Sequence, residues 1–184
     1  MPRQRGPSAL VTQRQIFSVV AWMVGALLSF SAMAIAIRGL TPALSVFEIL
    51  LFRSLSGVLV LGVLALTRPE LRKGLATRRI RLHAFRNTVH FGAQVAWALS
   101  VTMLPLATVF SIEFTAPAWV GLIAIVLLGE QATVSRIGAI VLGLLGVLVI
   151  LRPGWEAFRP ATLLVLSAAL GFAVAMIATK KLTA

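Results

Sequence analysis

Six long apolar segments dominate this sequence and restrict it to folds that a lipid bilayer can accommodate. A membrane-spanning helix needs about 20 mostly apolar residues, and each segment is close to that length. The segments are Ile16–Ile37, Leu44–Thr67, His83–Met103, Pro105–Leu128, Val134–Leu151 and Ala161–Thr179. Their apolar residues cover most faces of each helix, as expected where the outer surface contacts lipid. The sequence therefore predicts an all-α, polytopic membrane bundle of six transmembrane helices.

The composition excludes a soluble domain. Hydrophobic residues make up 59% of the 184-residue chain and charged residues 12%, whereas about 25% charged is usual in soluble domains. The mean hydropathy is +1.00, and a soluble fold of this size cannot bury so much apolar surface. The 17 basic residues outnumber 5 acidic ones, but they lie mostly in short gaps between apolar segments, as in membrane proteins. We therefore expect the lipid bilayer, and no nucleic acid, as a partner.

The sequence also lacks the groups that most enzymes and metal sites use. It has no cysteine, no aspartate and two histidines, which excludes disulfides and thiolate ligands and leaves too few groups for a Mg²⁺ or Zn²⁺ site. Phosphate-binding loops, catalytic triads and dinucleotide fingerprints are missing as well. We predict no enzymatic activity, no metal and no cofactor.

Lysine and arginine outside the predicted spans are unevenly distributed between the two sides. Twelve lie on one side and three on the other, and the richer side is expected to be cytoplasmic. Both termini are therefore predicted to be cytoplasmic. The twelve are Arg3, Arg5, Arg14, Arg68, Arg72, Lys73, Arg78, Arg79, Arg81, Arg136, Lys180 and Lys181, and the three are Arg38, Arg152 and Arg159.

The first apolar segment has an alternative interpretation as a secretory signal. The basic amino-terminal residues and the sequence Ala32-Met33-Ala34 are compatible with a signal and its cleavage site. The apolar run is longer than a usual signal core, however, and five more spans follow. An uncleaved first helix is favoured.

A weak internal repeat predicts the domain organisation. Residues 26–41 align with residues 168–183 at a shift of 142, with seven of sixteen positions identical and Arg38 aligned with Lys180. Because five crossings separate the two helices, they run in opposite directions, as in inverted-repeat transporters. The predicted parts are a basic tail (1–15), a five-helix repeat (16–151), a loop (152–160) and the first helix of an incomplete second repeat (161–184).

Charged and polar residues inside the spans are candidates for a shared cavity, because lipid penalises them strongly. At about 1.5 Å per residue, Arg53 and Glu113 lie roughly 13 and 12 Å from one face of the membrane. Gln94 lies about 17 Å from the other face of a core about 30 Å thick, so all three are near mid-membrane. Arg53 and Glu113 are predicted to pair, either to hold helices together or to line a substrate cavity.

The third span carries a polar stripe. Arg86, His90 and Gln94 recur every four residues and Trp97 follows, so they share one helical face, which Asn87 flanks. Such a stripe favours a cavity wall. Arg86 can instead extend to the cytoplasmic headgroups, and His90 can serve as a ligand contact, a proton relay or an interhelical hydrogen-bond partner.

The fourth span contains a proline next to these polar groups. Pro117 has no N–H, so the carbonyl of Glu113 loses its helical partner, and a kink is predicted there with Thr115 nearby. Irregular backbone at membrane depth is tolerated where it lines a cavity or is satisfied by neighbours. The kink therefore has either a cavity role or a packing role. Gly129 and Thr133 are predicted to end the fourth span and begin the fifth.

Six stretches in order along the chain resemble those of EamA-type transporters of the drug/metabolite transporter superfamily. They are Phe47–Ser54, Arg86–Gln94, Pro105–Ala107, Glu113–Pro117, Leu128–Glu130 and Val149–Gly154. The similarity covers about residues 16–181. The resemblance implies ten helices in two inverted five-helix repeats, cytoplasmic termini and a central cavity in a bacterial inner membrane.

The same resemblance implies secondary-active transport of small organic metabolites by alternating access, without ATP hydrolysis. The expected partners are a small-molecule solute and, by one hypothesis, protons. The chain contains only six of ten helices, so it is expected to be partial or to associate with another copy or chain. The candidate cavity residues are Arg53, Arg86, Asn87, His90, Gln94, Trp97, Glu113 and Thr115.

Two other functions remain open at this point. In a non-transporting multi-pass protein, the same polar residues would only hold helices together. A homo-oligomeric exporter resembling small multidrug-resistance proteins is the other, but its key glutamate lies in helix one and the first span here has none.

Overall fold

A computed structural model describes residues 13–68, 70, 79–129, 131, 133–151 and 160–183. Within these residues the chain forms seven α-helices and no strand, which confirms the predicted all-α membrane bundle. The helices are α1 (Gln13–Leu40), α2 (Val46–Thr67), α3 (Ile80–Met103), α4 (Leu106–Glu113), α5 (Ala116–Leu128), α6 (Val134–Leu151) and α7 (Pro160–Thr183). All six predicted spans are helical, and the fourth is divided into α4 and α5.

Four helical stretches are long and apolar enough to cross a membrane, judged by length and composition over the described residues. They are Gln15–Leu40, Val46–Thr67, Leu106–Leu128 and Pro160–Thr183. The apolar part of α6, Ile137–Val149, is shorter. Helix α3 is long enough at 24 residues, but its polar stripe lowers its hydropathy. A helix of this kind is stable in a bilayer when its polar face is turned toward protein or water.

Local sequence signals define several helix ends. At the start of α2, the Glu48 N–H donates to Ser45 Oγ at 3.3 Å and the Ser45 N–H donates to Glu48 Oε2 at 2.7 Å, a capping box that satisfies otherwise unpaired donors. Glu48 is therefore a capping residue. Gly129 ends α5 with a φ of 64°, a left-handed conformation that glycine adopts without strain. Thr133, the predicted start of the fifth span, accepts the first helical bond from Ile137 N–H at 3.0 Å.

The chain divides into two units, Met1–Ala36 and Ile37–Ala184. In the first unit the described residues form most of α1. Its large apolar side chains, such as Phe17, Trp22 and Leu28, are exposed, as expected for a surface that faces lipid.

In the second unit, α7 packs against α3, α5 and α4. The buried face of α7 consists largely of small residues, among them Ala168, Ala169, Ala173 and Ala175. Small side chains let membrane helices approach closely and gain van der Waals contact, which replaces the hydrophobic effect as the driving force within lipid. Helix α7, which the sequence analysis assigns to a second repeat, is thus an integral part of this packing.

Some sequence predictions fall on residues outside the described part of the chain. These are the basic tail except for its last residues, the loop at 152–160 except for Pro160, residues 71–78 of the basic loop after α2, and Glu130.

Candidate functional site

The candidate site is a cleft between α3 and α7. The two helices run antiparallel: Arg86 meets Thr179, while Ala93, two turns further along α3, lies against Gly171 of α7. The cleft has a volume of about 550 Å³, which lies within the range of small-molecule binding sites. Its lining residues are Arg86, His90, Phe172, Ala175, Met176, Thr179, Lys180 and Thr183.

Arg86 is directed across the cleft entrance. Its Nε donates to Thr179 Oγ1 at 3.2 Å, and its Nη1 donates to the side-chain oxygen of Asn87 at 2.9 Å. The Thr179 hydroxyl in turn donates to the Ala175 carbonyl at 2.9 Å. The Nη2 group of Arg86 makes no hydrogen bond to the described residues, and a guanidinium has five N–H donors. Arg86 is therefore oriented by two contacts and keeps donors available for a ligand.

His90 lies one turn deeper and joins the two helices. Its ring centroid is 5.4 Å from that of Phe172, with a 60° angle between the rings, a favourable tilted arrangement. One ring nitrogen is 3.0 Å from the Gln94 side-chain nitrogen in the same helix. Arg86 and, from α2, Arg53 are near enough to act on His90 electrostatically. His90 therefore has a predominantly cationic surrounding.

A second polar cluster lies further along α3. Trp97 is buried, with 3% of its surface exposed, and its indole group faces the carboxyl of Glu113 at the end of α4. The Glu113 Oε2 atom is buried and makes no hydrogen bond within the described part of the chain. Burying a carboxylate oxygen without a partner is costly. Glu113 therefore carries a buried carboxyl oxygen that the described residues leave without a hydrogen bond.

The helix break between α4 and α5 lies directly after Glu113. Phe114 and Thr115 form a turn, two residues ahead of Pro117, which cannot donate to the Glu113 carbonyl. Thr115 is 5% exposed; its hydroxyl donates to the Ile112 carbonyl at 2.6 Å and accepts from Trp119 Nε1 at 3.2 Å. The Thr115 hydroxyl thereby stabilises the turn and holds the Trp119 ring.

The structure does not join Arg53 to Glu113. The Glu113 carboxyl faces Trp97 and has no ion pair with another described residue, whereas Arg53 lies near His90. Arg53 and Glu113 were inferred from the sequence to lie at similar depths in the membrane, but they are not in contact. Depth alone does not determine in which direction a side chain points. No cluster of metal-ligating side chains occurs among the described residues.

Sequence reasoning missed three groups that shape this region. Phe172 and Lys180 line the cleft. Both lie in the internal repeat, but no neighbouring residue in the sequence indicated that they contact α3. At the opposite end of α3, Arg38 donates from Nε and Nη2 to the Val101 carbonyl at 3.1 and 2.6 Å, and also bonds the Leu104 carbonyl. Arg38, in the last turn of α1, therefore caps the carboxyl end of α3, a role that its predicted place outside the first span did not reveal.

Comparison with known proteins identifies the family. Residues 17–152 match the EamA-like transporter family. The chain belongs to that family. This EamA-like protein is 29% identical over 162 residues to the S-adenosylmethionine uptake transporter of Rickettsia felis, covering 88% of the chain and 54% of the relative. The resemblance predicted from the six sequence stretches is confirmed.

Two further relatives carry similar names. The S-adenosylmethionine uptake transporter of Rickettsia conorii is 29% identical over 162 residues, covering 88% of the chain and 54% of the relative. The riboflavin transporter of Brucella anthropi is 30% identical over 124 residues, which cover 65% of the chain and 44% of that protein. The EamA-like chain thus spans about half the length of these relatives. No solved structure matches it.

Proposed function

We propose that this EamA-like chain is the amino-terminal part of a secondary-active transporter that moves small organic metabolites by alternating access. The observation that carries the proposal is the cleft of about 550 Å³ between α3 and α7, with Arg86 and His90 on its wall. Ionisable side chains within membrane helices are expensive, and they usually mark a solute or ion path. The names of the relatives support a small-molecule solute.

The position of the cleft suits alternating access. It lies between α3, in the first predicted repeat, and α7, in the second. In inverted-repeat transporters the solute site lies at the repeat interface and opens to alternate sides as one repeat moves against the other. In this proposal both termini are cytoplasmic, the membrane is the bacterial inner membrane, and the remaining helices come from a second repeat or another copy.

Glu113 is proposed as a second functional group, for a proton or a cationic part of the solute. The support is its buried Oε2 atom, which has no hydrogen-bond partner in the described chain, beside the helix break after α4. The Glu113→Gln variant keeps the shape of the side chain and removes its charge. Transport at an unchanged rate in this variant would exclude the functional role and leave Glu113 as a packing residue.

The proposed function is tested by solute uptake. Cells would produce the chain joined to the second half of the Rickettsia felis relative, and uptake of labelled S-adenosylmethionine and riboflavin would be measured. We expect uptake of one of them, and its loss in Met176→Trp, which enlarges an exposed side chain that lines the cleft. The matched control is Leu61→Trp on the exposed surface of α2. Equal uptake by both variants would show that the cleft is not the solute site, and no uptake by a folded and inserted protein would favour a non-transporting membrane protein.

A further inference from the structure

We propose that the cleft between α3 and α7 selects solutes that carry a planar aromatic ring, which it holds among the Arg86 guanidinium, the His90 imidazole and the Phe172 ring. This inference rests on the proposed function, because it assigns a substrate class to the same cleft. Three planar side-chain groups from two helices line one space. Each of them makes a more favourable contact with a flat aromatic ring than with a saturated one.

The aromatic pair formed by His90 and Phe172 carries the first step. The two ring centroids are 5.4 Å apart, and the ring planes form an angle of 60°. Both side chains are half-buried, and both line the cleft. Aromatic rings prefer offset-stacked or edge-to-face contacts. A ligand ring that stacks on Phe172 therefore meets the His90 ring at a tilt, and both contacts are favourable.

The guanidinium of Arg86 carries the second step. Its Nε donates to Thr179 Oγ1 of α7 at 3.2 Å, and its Nη1 donates to the side-chain oxygen of Asn87 of α3 at 2.9 Å, so each helix holds it by one contact. The N–H donors of a guanidinium lie in its plane, and these hydrogen bonds therefore leave its faces to stack on an aromatic ring. The positive charge adds a cation–π attraction to the ring face.

The apolar wall beside these groups suits the same ligand. Met176 lies one turn after Phe172 on α7 and is 61% exposed, and a methionine thioether makes favourable contacts with aromatic rings. The volume of the cleft, about 550 Å³, is in the range of sites that bury most of the surface of a drug-sized ligand. A saturated ring of equal size would gain the same apolar burial without the aromatic contacts, so the cleft favours the aromatic ring.

The test compares two neutral probes that differ in aromaticity, naphthalene-2-carboxamide and its saturated analogue decahydronaphthalene-2-carboxamide. Binding to the 184-residue chain in phosphatidylcholine nanodiscs would be measured by calorimetry, and the heat of partition into empty nanodiscs would be subtracted. Because aromatic contacts stabilise a complex beyond their buried area, we expect the aromatic amide to bind at least about fivefold more tightly than the saturated one.

Two variants remove different planar groups from the cleft. Phe172→Leu keeps an apolar side chain and removes the ring, and Arg86→Met keeps an unbranched stem and removes the guanidinium. Each should reduce the preference for the aromatic amide to about twofold or less. Phe91→Leu is the matched control, because Phe91 is exposed on α3 and does not line the cleft, and it should leave the preference unchanged. If one of the two cleft variants fails to fold, the other keeps the test decisive.

The outcomes separate this inference from the proposed function. Equal binding of the two amides, or no binding of either to a folded chain, would overturn selection for an aromatic ring. An equal loss of affinity for both amides in Phe172→Leu would show that Phe172 only packs α7 against α3, and would overturn it as well. The proposed function is decided by uptake instead: it stands if solute uptake occurs and Met176→Trp abolishes it, whether or not the chain distinguishes the two amides.

Discussion

Replacing Gly171 by alanine is expected to separate α3 from α7, on whose contact the cleft depends. A Cβ atom added at Gly171 would lie 2.9 Å from Ala93 Cβ, 3.7 Å from Ala93 Cα and 3.7 Å from the Val89 carbonyl oxygen. Carbon atoms in contact prefer separations of about 3.5–4.0 Å. The clash is with a side-chain atom attached directly to the backbone, so it cannot be relieved by a rotamer change. The helices must move apart by roughly 0.6 Å or more.

The expected loss in the free energy of unfolding follows from overpacking: an extra methyl group in a well-packed core typically costs about 1–3 kcal/mol. Alanine also has a higher helix propensity than glycine, by about 1 kcal/mol, which partly masks the loss. Gly62→Ala on α2 corrects for this gain, since nothing lies within 4 Å of a Cβ atom there. We expect Gly171→Ala to be less stable than Gly62→Ala by about 1–3 kcal/mol.

The assay is unfolding in mixed micelles of sodium dodecyl sulfate and a mild detergent, followed by circular dichroism and tryptophan fluorescence. The double variant Ala93→Gly, Gly171→Ala provides the decisive comparison, because removing the Ala93 Cβ leaves the new Cβ only contacts of 3.7 Å. The two substitutions should therefore compensate, with a favourable coupling free energy of about 1–3 kcal/mol. Additive effects, or a Gly171→Ala variant as stable as Gly62→Ala, would refute the close packing of α3 on α7.

Three other predictions follow from the same contacts. Arg38→Gln removes the guanidinium that binds the Val101 and Leu104 carbonyls and should lower the free energy of unfolding by about 1.5–3 kcal/mol. Arg38→Lys should recover only part of the lost stability, since lysine lacks the forked donor geometry of the guanidinium. Thr115→Val removes the hydroxyl that bonds Ile112 and Trp119 and should cost about 1–3 kcal/mol, with Thr115→Ser close to wild type in the same unfolding assay. Because the sequence has no cysteine, single cysteines report topology cleanly: Pro42→Cys should react with an impermeant maleimide on intact cells, and Glu70→Cys only after permeabilisation.

Each of these three predictions would be contradicted by a specific result. Full stability in Arg38→Gln would show that the carbonyls at the end of α3 find other partners. Equal loss in Thr115→Val and Thr115→Ser would show that the methyl group, not the hydroxyl, supports the turn. Reversed labelling of the two cysteines would invert the predicted orientation of the chain.

Local features of the site were predictable from the sequence, and contacts between distant segments were not. The polar stripe on α3 follows from spacing along one helix, and His90 and Gln94 do contact each other four residues apart. The break before Pro117 also has a local cause, the missing N–H. The pairing of Arg53 with Glu113 was inferred from depth alone, and the structure places Glu113 against Trp97 instead. Depth constrains one coordinate of a side chain and leaves its direction around the helix undetermined.

The sequence by itself determined that this chain lies in lipid, which segments are helical, and where the polar residues fall along each helix. These properties depend on contiguous runs of residues, since the length and apolarity of a segment decide whether it can span a bilayer. Only the tertiary structure decided that α7 packs on α3 and creates a basic cleft with an apolar wall. That choice arises from close contacts between small residues, such as Gly171 and Ala93, which are distant in the chain and whose fit depends on the rotation of both helices.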